Sequence, residues 1–338
     1  MSTPLTQTKN LTKHLGLKFP VFFKREDLHP HGSHKGRSIP VMIEKYANEG
    51  IKNFAISSSG NAALAAALHI IERNKINSNK INLKIFVGKN IAEEKDTALS
   101  LLKNDQITVE QVSNPKQQAF QMEKSGLAKN LRQSTDDTAL TGYEDLAREL
   151  NKQLTNRLGP ISAIFIPTSS GTTAQGLYLG FQKLKQNPQI HIIQTTACHP
   201  ISNIIARSER HMFAFGREQS RQRVVIARSE ATKQSQSLSH NINPPQSQVQ
   251  PNNIPSIASA IVDKVAHRKN AVAETIKNSQ GFGWIATDEE ITQAMDLVKQ
   301  TEAIEISPNR ALSIAGLIHA INAGWKFNGP IVCLLTGK

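Results

Sequence analysis

The feature that most constrains this chain is a repeated order of short β-branched runs and Ala-rich or amphipathic stretches. Residues 53–57 precede a predicted helix over 61–71, residues 83–87 precede one starting near Ile91, and residues 161–166 precede one over 174–185. Further helices are predicted over 38–46, 257–278, 288–301 and 309–322, with a closing strand at 330–335. A strand that returns through a helix to a neighbour pointing the same way makes a parallel pair, so the pattern predicts α/β sheets with helices on their faces. In open sheets of that kind, ligands collect at the carboxyl ends of the strands, where loops lead into helix N-termini.

At 338 residues with 38% hydrophobic content, the chain can fill two lobes. No run approaches the roughly 18 apolar residues of a bilayer span, and the opening MSTPLTQTKN lacks the apolar stretch of a secretion signal, so a cytoplasmic protein is expected. Cys198 and Cys333 are the only cysteines, which leaves neither a thiolate zinc site nor a disulfide framework. The net charge of +13 raises nucleic-acid binding. That charge is spread along the chain, aromatic residues are only 5%, and no helix-turn-helix, RNA-recognition or zinc-finger pattern is present. A basic surface that attracts anionic metabolites is expected instead of a specific nucleic-acid partner. Residues 207–253 change texture, being rich in Ser, Gln, Asn and Arg with almost no apolar periodicity, and read as a disordered insertion.

Three loops carry candidate chemistry. The first, Lys24-Arg25-Glu26-Asp27-Leu28-His29-Pro30-His31-Gly32-Ser33-His34-Lys35-Gly36-Arg37, sets Lys35 in a Gly-flanked turn just before a helix. A lysine amine is normally protonated, and burial or neighbouring cations, here Lys24, His34 and Arg37, make it a better nucleophile. By itself this stretch is equally a solvated turn. His29, His31 and His34 raise a metal cluster, but no Asp-rich or HExxH-like complement accompanies them and no metal is expected. The second loop, Ser58-Ser59-Gly60-Asn61, opens the Ala-rich helix. Hydroxyls and free N–H groups at a helix start suit a carboxylate, though an ordinary N-cap looks the same. The third, Ser169-Ser170-Gly171-Thr172-Thr173, follows an apolar strand and precedes a helix, as a phosphate cradle does. It has no Gly-Lys-Ser/Thr ending, and the chain has no GxGxxG fingerprint, so a nucleotide site is not indicated.

In their order along the chain these loops resemble the tryptophan synthase β-like superfamily of pyridoxal-phosphate enzymes, fold type II, and within it threonine synthases and threonine or serine dehydratases. Lys24 to Leu28 with Gly32-Ser33-His34-Lys35 is similar to the family's cofactor-lysine segment. Ser58 to Asn61 resembles its substrate-carboxylate loop, and Ser169 to Thr173 its phosphate loop. Thr141-Gly142-Tyr143-Glu144, Glu305-Ile306-Ser307 and Leu335-Thr336-Gly337 are further similar pieces.

The resemblance implies pyridoxal 5′-phosphate held as a Schiff base on Lys35, which would also act as the base for the substrate's α-proton. It further implies Asn61 on the ring's phenolic oxygen, Ser58, Ser59 and Gly60 on the substrate carboxylate, and Ser169, Ser170, Gly171, Thr172 and Thr173 on the phosphate. Thr336 would then offer a neutral hydroxyl to the ring nitrogen. It implies a smaller lobe of residues 45–145 on a larger one of residues 1–44 and 146–338, and a homodimer. Gly36 departs from the aspartate common in threonine synthases, and Ser169 and Ser170 depart from glycine or asparagine. The sequence stops at Lys338, so no effector-binding tail is expected.

The expected activity is a lyase acting on a small amino acid, of the threonine synthase type, converting O-phosphohomoserine to threonine. The alternative is a threonine or serine dehydratase, and the second alternative is an impaired homologue or a non-catalytic basic binding protein. Lys264, His267 and Arg268 are candidates for a distal phosphate socket. Deleting residues 207–250 is expected to leave the thermal unfolding midpoint nearly unchanged, because little apolar surface is lost; a large drop would show that the segment is folded.

Overall fold

The computed structural model describes residues 2–205 and 255–337. The expected insertion at 207–253 lies outside the described residues. Two sheets organise the chain. One joins β1 (Leu5–Gln7), β2 (Val21–Lys24), β7 (Ala163–Pro167), β8 (Gln189–Thr195), β9 (Gly283–Ala286) and β10 (Ile331–Leu334) in the order β1-β2-β10-β7-β8-β9. The other joins β3 (Asn53–Ser57), β4 (Asn82–Gly88), β5 (Ile107–Val112) and β6 (Lys129–Asn130) in the order β5-β4-β3-β6. Every pairing is parallel except that of β1 with β2. The helices are α1 (Asn10–His14), α2 (Lys35–Asn48), α3 (Asn61–Ile76), α4 (Glu93–Ser100), α5 (Pro115–Lys124), α6 (Thr138–Leu158), α7 (Thr172–Lys183), α8 (Lys269–Asn278), α9 (Asp288–Glu302) and α10 (Pro308–Asn322).

Apart from the edge strand β1, the strands of the larger sheet are buried on both faces, and their side chains part with a period of two. Phe23, Phe165 and Cys333 enter the core built with α9 and α10, whereas Phe22, Ile164, Ile166, Val332 and Leu334 enter the one built with α6, α7 and α8. In the smaller sheet, Phe54, Ile56, Leu83 and Ile85 pack on α2 and α3 through Ile39, Met42, Ala63 and Ile70. The helix expected over 257–278 is only half present. Residues 257–268 form an irregular segment, with Val262 and Val265 more than half exposed and Ala266 at φ +45°, and helix begins only at Lys269. That segment is held by polar contacts: the Ser169 hydroxyl accepts from the N–H groups of Val262 and Asp263, each at 3.1 Å.

A buried ion cluster fixes α2 against α6, β2 and Thr3 near the N-terminus. Arg37 donates to Glu26 Oε1 at 2.7 Å and Oε2 at 2.9 Å, and to Glu149 Oε2 at 2.7 Å. The Lys24 ammonium bonds the other oxygen of Glu149, Thr3 O at 2.8 Å and Gln153 Oε1 at 3.0 Å. Burial works to raise the Glu149 pKa, but hydrogen bonds from Arg37, Lys24 and the Thr3 N–H outweigh it and hold the carboxyl down at about 2. With the folded value below the usual 4.5, the stability this group contributes is full above pH 4.5 and is lost as pH falls towards 2. Glu149→Gln is expected to lower unfolding stability by about 3 kcal/mol, because two buried cations lose their shared anion. Denaturant titrations should also show a shallower loss of stability for that variant than for the wild type between pH 4.5 and 2.

Candidate active site

The loops singled out in the sequence leave the carboxyl ends of adjacent parallel strands. β10 lies between β2 and β7, with Leu334 opposite Lys24 and Cys333 opposite Phe165. The lysine loop after β2, the Thr336-Gly337 pair after β10 and the Ser169–Thr173 loop after β7 therefore emerge side by side. Ser33 bridges Gly337 across the strand ends, and Thr336 O accepts from the His34 N–H at 2.9 Å and from His34 Nδ1 at 2.7 Å. The second sheet contributes the turn after β3. A Cβ built on Gly337 would lie 2.5 Å from Ser33 Cβ and 3.1 Å from Asn61 Nδ2. One short stretch of backbone thus touches both the loop that carries Lys35 and the first residue of α3. Ser307, from another of the family-like pieces, donates to Gly337 O at 3.4 Å.

Lys35 is half-buried at the first position of α2, its N–H 3.3 Å from Ser33 Oγ. The cations read beside it in the sequence do not stand there as free charges. Lys24 and Arg37 are spent in the buried cluster with Glu26 and Glu149. Burial, reinforced by the nearby Lys35 charge, pushes the His34 imidazole down to about 3, so it is neutral at pH 7. Neutral His34, locked through Nδ1–H to Thr336 O, packs at 6.1 Å from the Tyr143 ring.

Ser58, Ser59, Gly60 and Asn61 are half-buried at the N-terminus of α3, where the Gly60 N–H donates to Ser58 Oγ at 3.2 Å. The third loop is built more tightly. Gly171 sits at φ +85°, a left-handed conformation that L side chains rarely adopt, and a Cβ there would come within 2.4 Å of Val272 Cγ2. Thr172 and Thr173 are buried in the first turn of α7. Ser170 and Thr172 hydroxyls lie 3.0 Å apart, and Thr172 donates to Gln133 O at 3.4 Å. Gln133 in turn donates to the Ser38 hydroxyl, which bonds the Tyr143 hydroxyl at 3.3 Å. Gln133 therefore links this loop to the helix that starts at Lys35, a role with no signal in the sequence. Thr336 is buried between the lysine loop and the end of β10.

One expectation changes. Arg268, a sequence candidate for a distal phosphate, is buried and fully engaged: it donates to Gln133 O, Asp136 O, Asp137 Oδ1 and Gln175 Oε1, strapping residues 133–137 to α7. At Gly36 a side chain has no room, since its Cβ would lie 2.3 Å from His29 Nδ1 and 2.8 Å from His31 Cβ.

A half-buried lysine at the start of α2, on a loop that emerges beside hydroxyl-bearing helix N-termini, suits a small anionic cofactor that reacts with an amine. A family model described as pyridoxal-phosphate dependent enzyme matches residues 1–337, and the chain belongs to that family, with pyridoxal phosphate as its cofactor. The threonine synthase of Methanocaldococcus jannaschii is 23% identical over 357 residues, covering 99% of this chain and 74% of that protein. A human L-serine dehydratase/L-threonine deaminase is 27% identical over 192 residues, 54% of this chain and 53% of that one. The processed threonine deaminase isoform 2 of Solanum lycopersicum superposes with a TM-score of 0.71 at 19% identity, covering 100% of this chain and 84% of that one. This likeness establishes the fold, fold type II. Among the described residues, no helix is long and apolar enough to cross a membrane.

The residues present fit the cofactor. Gly171 has room only for glycine, and the hydroxyls of Ser170, Thr172 and Thr173 lie at the N-terminus of α7, where an anion is favoured. Gly36→Asp is expected to destabilise the fold by about 1–3 kcal/mol, as overpacking does, and to lower cofactor content per chain, read from absorbance after alkaline release.

Proposed function

We propose that the chain is a lyase of the threonine synthase type, in which Lys35 carries the cofactor and moves the substrate's α-proton. The observation that carries this reading is the convergence at Gly337, where the lysine loop, the Asn61 turn and the closing Thr-Gly pair meet. When bound, pyridoxal phosphate supplies an electron sink for the carbon next to the substrate's amino group. Lys35 Nζ takes the proton from that carbon and returns it. Ser58, Ser59 and Gly60 hold the substrate carboxylate at the positive end of α3 and so orient the carbon towards Lys35. Asn61 offers its amide to the cofactor's ring oxygen, and Ser169 to Thr173 grip the cofactor phosphate. Thr336 leaves the ring nitrogen uncharged, which weakens the sink and favours elimination and replacement over transamination.

A substrate bearing its own phosphate needs a second cationic group. Arg132 donates to His267 Nε2 at 2.7 Å, and Gln133 next to it accepts from Thr172, so this pair lies near the third loop. Lys264 is exposed on the same irregular segment. Arg132 and Lys264 support O-phosphohomoserine as substrate, with Arg132 taking the part first considered for Arg268. The likeness to M. jannaschii threonine synthase over 99% of this chain supports the same reading.

The test is phosphate release from O-phosphohomoserine with matching threonine formation. Lys35→Ala should abolish both, along with a visible absorption band that borohydride removes from the wild type. Arg132→Ala should raise KM for O-phosphohomoserine roughly tenfold or more, the worth of one charge-assisted hydrogen bond, and leave the visible band intact. Appearance of 2-oxobutanoate from threonine in place of phosphate release would establish the dehydratase instead, and a colourless protein inert to both substrates would establish a non-catalytic one.

A further inference from the structure

A second cluster of donor groups lies behind the lysine loop, on the side of α3 away from its first turn. His31, His69 and Glu72 each offer a donor atom within 4.8 Å of the others. His69 and Glu72 stand three residues apart on α3, hence on one face, and His31 comes from the loop four residues before Lys35. His31 is only 4% exposed, with Nε2 3.0 Å from Glu72 Oε2. Its Nδ1 is buried and has no hydrogen-bond partner. A carboxylate only accepts, so Nε2 carries its proton towards Glu72 in the metal-free protein; with no partner on Nδ1 to oppose it, that proton can shift to Nδ1 and leave the Nε2 lone pair for an ion. The His31 and His69 rings meet edge to face at 5.6 Å. Glu44 holds His69 from outside, Oε1 to Nε2 at 2.7 Å, and Glu44 is itself held by Arg73 Nε at 3.3 Å.

We infer that His31, His69 and Glu72 form a binding site for one zinc-like divalent cation, which staples the Lys35 loop to the helix that begins at Asn61. Two imidazoles and a carboxylate are a donor set that zinc takes with a fourth position left to water. Ligands on a tetrahedral zinc stand about 3.3 Å apart, from bond lengths near 2.0–2.1 Å. The widest spacing, up to 4.8 Å, therefore has to close by up to about 1.5 Å, and Glu72, half-exposed, is the ligand with room to move. Glu44 supplies the outer carboxylate that commonly orients a ligating histidine. His29 and His34, which the sequence had suggested beside His31, are used otherwise: His29 Nδ1 accepts from the His31 N–H at 3.1 Å, and His34 bonds Thr336 O. The inference does not depend on which substrate the enzyme takes.

The test uses the cofactor-loaded protein, dialysed against chelator and then titrated with zinc chloride by calorimetry, with bound metal counted by elemental analysis. One zinc per chain is expected at micromolar affinity, together with a rise in the thermal midpoint. His69→Ala should weaken binding at least a hundredfold and abolish the thermal shift, and Glu72→Gln should weaken it about tenfold. The exposed, distant His14→Ala should bind as the wild type does. The visible cofactor band reports that each variant is folded. Absence of saturable binding in the wild type, or equal affinity in the wild type, His69→Ala and Glu72→Gln, overturns the site.

Discussion

Everything in the cofactor site depends on the last strand entering the sheet between β2 and β7. Because β10 runs parallel to both, its carboxyl end is delivered beside theirs, and three loops distant in sequence emerge at one edge. Thr336 and Gly337 then act as a hub, bonded to Ser33 and His34 on one side and in van der Waals range of Asn61 on another. A parallel strand cannot be reached by a tight turn. The larger sheet is therefore continuous only once this last strand lies between β2 and β7.

The ion cluster under α2 supplies rigidity to that edge. Lys24, Glu26, Arg37 and Glu149 are each buried or nearly so, and each charge is balanced by an opposite one. Buried ion pairs add little net stability, since desolvation offsets much of their attraction. Their directional bonds instead fix one register of α2 against α6 and β2, and Lys35 rides on the first turn of α2. Asp27 extends the arrangement: it takes two bonds from Arg25, lies 3.3 Å from Arg310 of α10, and donates its N–H to Leu335 O. The charged run Lys24 to Asp27, read in the sequence as part of a cofactor motif, is thus structural scaffolding.

Polar groups without a strong local pattern were the least legible. Arg268 and His267 are neighbours in sequence, but one is buried as a strap across residues 133–137 and the other is exposed beside Arg132. The irregular 257–268 segment read as helix because its apolar residues recur at suitable spacing, yet its backbone donors are taken by Ser169 and Asp263 side chains. The His31, His69 and Glu72 group was invisible for a similar reason. Only its His69-x-x-Glu72 half has helical spacing, and the third donor is 38 residues away from it.

By itself the sequence determined the layered α/β fold and the small-residue loops at helix starts. Those features are local, since period-two and period-3.6 apolar patterns and turn residues act over a few neighbours at most. The tertiary structure alone decided which strand sits beside which, where each charge finds its partner, and that Gly36 has no room for a side chain. These depend on contacts between residues far apart in the chain, made only when the sheets close and exclude water, so burial and pairing rather than residue type set what each group can do.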